Sequence, residues 1–182
     1  MNITIDPTAT LEYFNERRAR YAKKYEVANM WKLEYDEGLA SKAALLDVAY
    51  AEKGADYRLL FHSADALASA YEQYLETVMS FLKENEPEMR ADAWRRGDRD
   101  TLFSMEVFVC GQTRVGCAPC SPTKCRRGLR DSKSREWRWL SWDAICLIGP
   151  VTNVTELREE TGEPGTMCGD GTKSDNGLCV RG

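Results

Sequence analysis

The first 109 residues contain no cysteine, and the whole chain of 182 residues contains one histidine, His62. The first absence excludes any disulfide or thiolate site built within the N-terminal half. The second leaves every Ser-His or Cys-His nucleophilic arrangement dependent on one residue. It also means that a metal site would need thiolates and carboxylates instead of imidazoles. No apolar run approaches the roughly 18 residues of a membrane span, and the most apolar stretches, Met105–Cys110 and Ala144–Ile148, are strand-sized. There is no global basic excess either: the formal net charge is −4, so the chain as a whole does not attract nucleic acid. Met1-Asn2-Ile3-Thr4 lacks the basic and then apolar pattern of a secretory leader. The expected location is therefore intracellular if the chain is complete, and secreted or cell-surface if a leader has been removed.

What is present divides into two unlike parts, 1–90 and 91–182. In the first, Asp6-Pro7 is a helix start, because Asp caps and Pro is tolerated at the first helical position. Leu11, Phe14, Tyr21, Tyr25 and Ala28 then recur at helical spacing, with Arg18 interrupting the stripe and Trp31 and Tyr35 at its edge. The pattern fades at Asp36-Glu37-Gly38. A second helical stretch covers 40–53. In a third, Leu60, Leu67, Tyr71, Tyr74, Val78 and Phe81 form the stripe and Glu84-Asn85-Glu86-Pro87 the stop, with Pro87 opening a short helix through Trp94. Stripes of this kind must be covered, so an N-terminal helical hairpin or small helical bundle is expected, with oligomerisation through the helices as another way to cover them.

The second part holds all seven cysteines. Thr101–Cys110 and Trp139–Ile148 have the branched and aromatic content of strands, and pairing them would bring Cys110 close to Cys146. The expected class is thus α+β, with a C-terminal cysteine-rich module containing a short antiparallel sheet.

The sharpest local pattern is Cys110, Cys117, Cys120 and Cys125 within 16 residues. A close Cys-x-x-Cys pair with two further thiolates nearby suits tetrahedral zinc. Disulfides fit the same residues if the compartment is oxidising. Cys117-Ala118-Pro119-Cys120 also has the form of a redox dithiol, with Cys117 as nucleophile and Cys120 as resolving thiol. Cys168 and Cys179 bracket a glycine-rich polar loop and are disulfide candidates, worth about 3 kcal/mol by loop closure. The acidic residues of that loop miss the calcium-loop spacing.

Between Arg114 and Arg138 lie eight basic residues against two acidic ones. Arg126, Arg127, Arg130, Arg135, Trp137 and Arg138 form a candidate partner-binding segment, for a protein partner or for nucleic acid through stacking and phosphate contacts. The spacing of Trp137 and Trp139 equally fits one strand face packed on the helices. Asn2-Ile3-Thr4 and Asn153-Val154-Thr155 are glycosylation sequons that matter only in a secreted chain, and Arg96-Gly97-Asp98 is an adhesion tripeptide that occurs readily by chance. The leading expectation is a non-enzymatic interaction or assembly protein with a zinc- or disulfide-stabilised module. A secreted disulfide-bonded binding protein, a dithiol oxidoreductase and a zinc-knuckle-like nucleic-acid binder stand behind it.

Overall fold

The computed structural model describes residues 4–46, 54–62, 66–97, 103–121, 123–130, 134–153 and 159–182. It is a mixed α+β structure with four helices, small sheets and three disulfides among these residues. Helix α1 spans Pro7–Tyr25, capped by the Asp6 carboxylate on the amides of Thr8 and Ala9. It ends earlier than its apolar stripe suggests, because Glu26 takes a left-handed conformation and returns its N–H to the Ala22 carbonyl. Ala28, Trp31 and Tyr35 therefore sit on an extended segment. This leads to the two-residue strand β1 (Glu34–Tyr35), followed by α2 (Glu37–Leu45).

The stretch read as one long third helix divides. Arg58–His62 is strand β2, and α3 covers Ala66–Asn85. Glu86 then separates it from α4 (Pro87–Gly97), where the proline stop was expected. The strand expected over Thr101–Cys110 is instead a 3-10 helix, Phe103–Phe108. Strands β3 (Arg114–Pro119), β4 (Arg126–Arg130), β5 (Trp137–Ser141), β6 (Ala144–Gly149), β7 (Thr172–Asp175) and β8 (Leu178–Arg181) follow. Trp139–Ile148 is thus two strands, not one. The turn-rich segment after Pro150 allows a short helix at Val154–Glu160, most of which lies outside the described residues.

The main sheet has the order β1-β3-β6-β2, parallel between β1 and β3 and antiparallel elsewhere. Its alternation explains the core. Leu59, Ala118, Ile145 and Leu147 pack with Leu39 and Ala43 of α2 on one face. Leu60, Val115, Cys117, Cys146 and Ile148 pack with Phe14, Tyr21 and Phe108 on the other. β6 is buried along its whole length, which is why it reads as an unbroken apolar run. α1 and α2 do not pair as a hairpin, since they cover opposite faces of a sheet to which both halves of the sequence contribute strands; α1 meets α3 through Arg17–Glu76 and Lys24–Glu84. Among the described residues no helix is long and apolar enough to cross a membrane.

Buried charge stitches the layers. The Arg58 guanidinium binds both oxygens of Glu106, at 2.8 and 2.9 Å, and tethers β2 to the 3-10 helix. Glu159 accepts from Tyr21 at 2.8 Å and from Lys83 and Arg90, joining α1, α3 and α4 to the C-terminal segment. Burial works to raise the Glu159 carboxyl, but the two cations and the phenol outweigh it and hold it below the usual carboxylate range.

His62 ends β2, its ring against Tyr13 at 4.8 Å and Phe14 at 5.2 Å. Burial lowers its pKa, with Asp143 opposing and Arg17 adding to the effect. Above the unfolded imidazole value of about 6.5, both folded and unfolded chains carry a neutral ring. Below it, the unfolded chain takes up a proton that the folded chain resists, so stability falls with pH toward the lower folded pKa. The urea midpoint is expected to drop more between about pH 7.5 and about pH 5.5 in the natural chain than in His62→Gln. Equal drops would show that His62 is not responsible.

Candidate interaction surface

β4 and β5 form a two-stranded hairpin in which Arg130 lies opposite Trp137, Gly128 opposite Trp139 and Arg126 opposite Ser141. Two features fix its base. The Cys120–Cys125 disulfide closes the loop before β4, and the Trp142 amide donates to the Cys125 carbonyl at 2.8 Å. Leu140 and Trp142 are buried, with Trp142 stacked on Phe61 at 4.9 Å. These residues anchor the hairpin to the α2 side of the sheet.

The alternate face points outward. Trp137 and Trp139 are 64% and 57% exposed, far more than side chains of this size usually retain. Both indoles lie over Gly128. A Cβ there would come within 3.0 Å of Trp137 and 3.3 Å of its neighbouring ring atom, and within 3.5 Å of Trp139. The missing side chain is what lets two tryptophans flatten against one stretch of backbone. The Arg126 guanidinium sits 4.7 Å from the centre of the Trp139 ring, within cation–π range. The result is a pair of exposed indoles edged by a cation.

All six residues singled out for partner contact lie on or beside this hairpin: Arg126, Arg127 and Arg130 on β4, Trp137 and Arg138 on β5, and Arg135 just before β5. The spacing-two reading of Trp137 and Trp139 holds as to a common face, but both indoles are mostly exposed. Gly128 is the member of the surface that the residue pattern alone did not single out. The run Arg-Gly-Leu-Arg facing Trp-Arg-Trp carried that signal.

The cysteines are distributed differently from the expected four-thiol set. Cys117 pairs with Cys146 across β3 and β6, Cys120 pairs with Cys125, and Cys110 is a buried thiol outside the disulfides. Residues three apart along a strand are separated by about 10 Å, beyond disulfide reach. Cys117 and Cys120, at the end of β3, therefore bond outward to different partners instead of forming a redox pair. Burial pushes the Cys110 thiol up, Glu159 adds to this, and Arg18 opposes it, so the group is a neutral thiol at physiological pH. With four of the cysteines in these two bridges, Cys110, Cys117, Cys120 and Cys125 could act as ligands together only in a reduced chain. Among the described residues no group of His, Cys, Asp and Glu is arranged to hold a metal.

Cys168 and Cys179 are bonded, as their spacing suggested. The loop between them is a hairpin, β7–β8, turning at Asn176-Gly177 with φ of 52° and 76°. Asn-Gly is the strongest short-range sign of such a turn, which the reading of this segment as a polar loop passed over. Asp175 is engaged by Lys32 at 2.6 Å. Of the two sequons, the first lies mostly outside the described residues, as do Val154 and Thr155 of the second. Asp98 of the adhesion tripeptide is also outside them.

This α+β arrangement, with α1 and α2 on opposite faces of one sheet, is found in a solved structure. The likeness is carried by the crystal structure of hookworm platelet inhibitor, with a TM-score of 0.55 and 17% identity over 100% of this chain and 94% of that one. The Ancylostoma-secreted protein Ac-ASP-7 gives a TM-score of 0.47 at 18% identity, covering 97% of this chain and 90% of its own. Na-ASP-1 gives 0.48 at 16%, covering 100% of this chain and 47% of its own. No family model and no curated protein sequence matches the chain.

Proposed function

We propose that this chain is a secreted or cell-surface disulfide-bonded binding protein that engages an acidic protein partner through the β4–β5 hairpin. The observation that carries the reading is the exposed pair Trp137 and Trp139 over Gly128 with Arg126 on its edge. Aromatic and arginine side chains dominate the energetics of protein interfaces, and a rigid base lowers the cost of ordering them. The local basic excess selects a partner of negative potential. Three disulfides among the described residues favour an oxidising compartment. The hookworm protein of like fold is named as a platelet inhibitor, which makes washed platelets a reasonable first probe.

Two measurements test the reading. Thiol labelling of the unreduced, denatured protein is expected to modify Cys110 alone. Labelling of all seven cysteines, with one zinc retained per native chain, would overturn the secreted reading in favour of a reduced zinc module. Labelled protein on washed platelets is expected to bind, and Trp137→Ala/Trp139→Ala to weaken binding by about 30-fold or more, as two interface anchors would. Both tryptophans are mostly exposed, so the melting temperature should hardly change. Unaltered binding by the double variant removes the hairpin from the proposal. Salt-sensitive retention of RNA would favour nucleic acid instead.

A further inference from the structure

A second concave surface lies away from the hairpin, between α1, β1 and the β7–β8 hairpin. It is a half-open groove of about 690 Å³, within the range of small-ligand sites. Its walls are fixed by backbone-directed contacts. The Asn15 side chain accepts from the Leu33 amide at 2.8 Å and donates to the Leu33 carbonyl at 3.0 Å, so α1 reads that segment as a neighbouring strand would. The Lys32 amide donates to the Cys179 carbonyl at 2.9 Å, and the Cys179 amide to Met30 at 2.8 Å. The Cys168–Cys179 disulfide locks the far wall. A groove held this way is formed before any ligand arrives.

Its chemistry is two-sided. Leu11 and Trp31 supply apolar surface, above the buried Leu33 and Leu178. Glu12 and Glu16 stand four residues apart on α1, with Glu34 on the β1 wall. Like charges at this helical spacing repel, and no described cation forms an ion pair with any of the three. Two of the basic residues at the groove are already engaged, Lys32 by Asp175 at 2.6 Å and Arg114 by Asp36 at 3.0 Å. Arg181, at the β8 edge, is the remaining cation of the lining.

We propose that this groove binds a cationic amphiphile, an organic ammonium carried on a flat or short apolar body, with its body against Trp31 and Leu11 and its charge toward Glu12, Glu16 and Glu34. An apolar floor alone would accept any small hydrophobe. The unpaired carboxylates favour a positive head group and disfavour an anionic one, so selectivity by sign of charge is the signature.

Isothermal titration of the full disulfide-bonded chain with tryptamine and with indole-3-propionate tests this, since the two share a ring system and differ in the sign of the terminal charge. Tryptamine is expected to bind at least tenfold more tightly. Glu12→Gln/Glu16→Gln/Glu34→Gln is expected to remove that preference while leaving the melting temperature unchanged, and Trp137→Ala/Trp139→Ala to leave it intact. Equal affinity for the two compounds, no binding of tryptamine, or a preference that survives the triple substitution would each overturn the proposal. So would a preference lost in the hairpin variant, which would place the amine on the exposed indoles. Platelet binding is read separately, so either proposal can fail without the other.

Discussion

Glu106→Gln is expected to lower the unfolding free energy by about 3–5 kcal/mol, the usual cost of stripping one partner from a buried ion pair. Glu106 and Arg58 are 0% and 1% exposed. The substitution keeps shape and hydrogen-bonding capacity but leaves a guanidinium facing a neutral amide where no water can reach it. Arg58 also donates to the Thr152 carbonyl at 2.9 Å, so it cannot swing out without breaking a further contact. The pair replaced together, as Arg58→Met/Glu106→Leu, should recover much of the loss, because removing both charges also removes both desolvation penalties. Urea denaturation of Arg58→Met, Glu106→Leu and the double variant gives the coupling. A Glu106→Gln midpoint within about 0.5 kcal/mol of the natural chain would show that water reaches the pair after all.

That pair also shows where sequence reasoning stops. Glu106 sits inside Met105–Cys110, whose branched and aromatic residues read as a strand. Propensity reports that such a segment is buried, but not which backbone geometry buries it. A charged residue in the middle of an apolar run was the available sign that a buried counter-ion existed. Its partner lay 48 positions away, at the start of a stretch whose leucines also matched a helical stripe. Strand β2 was hidden for that reason, since a short apolar run fits either period. By contrast, the elements with local punctuation were legible: the Asp6 cap, the Pro87 stop and the Cys168–Cys179 bridge.

The candidate surface was legible as composition and not as geometry. Basic residues interleaved with tryptophans marked 126–138 as a partner segment, and all six of the chosen residues lie on or beside one hairpin. Which face of β5 is exposed depends on Leu140 and Trp142 being drawn into the core beside α2, a tertiary choice that alternation alone does not make. The groove was invisible for a related reason. Its walls come from α1, β1 and β8, and their meeting depends on Trp31 pairing with Cys179.

Arg18→Met is the other large effect, expected to cost on the order of 5 kcal/mol. Arg18 is fully buried, and its guanidinium has five N–H groups. They meet five backbone carbonyls: Trp31 at 2.7 Å, Val107, Val109 at 3.1 Å, Cys110 at 3.1 Å and Gln112 at 3.0 Å. Burial lowers its pKa to about 9, with Cys110 opposing, so it remains a cation at neutral pH. The 3-10 helix and the turn after it have no strand partner, and this one side chain takes the place of a ladder. It interrupts the α1 stripe because it is a core residue of a different kind. Methionine fills much the same space and satisfies none of the carbonyls; those of Val109 and Cys110 keep the amides of Gln112 and Trp31, and the other three each carry a desolvation cost of about 1–3 kcal/mol unless they relax toward water. Arg18→Lys should fall between, since an ammonium reaches fewer acceptors from one point. Hydrogen exchange read by segment separates this account from a general loss of packing. Protection over 105–113 should fall furthest while β6 keeps its rank, and an even loss across both would mean that Arg18 serves α1 and not the turn.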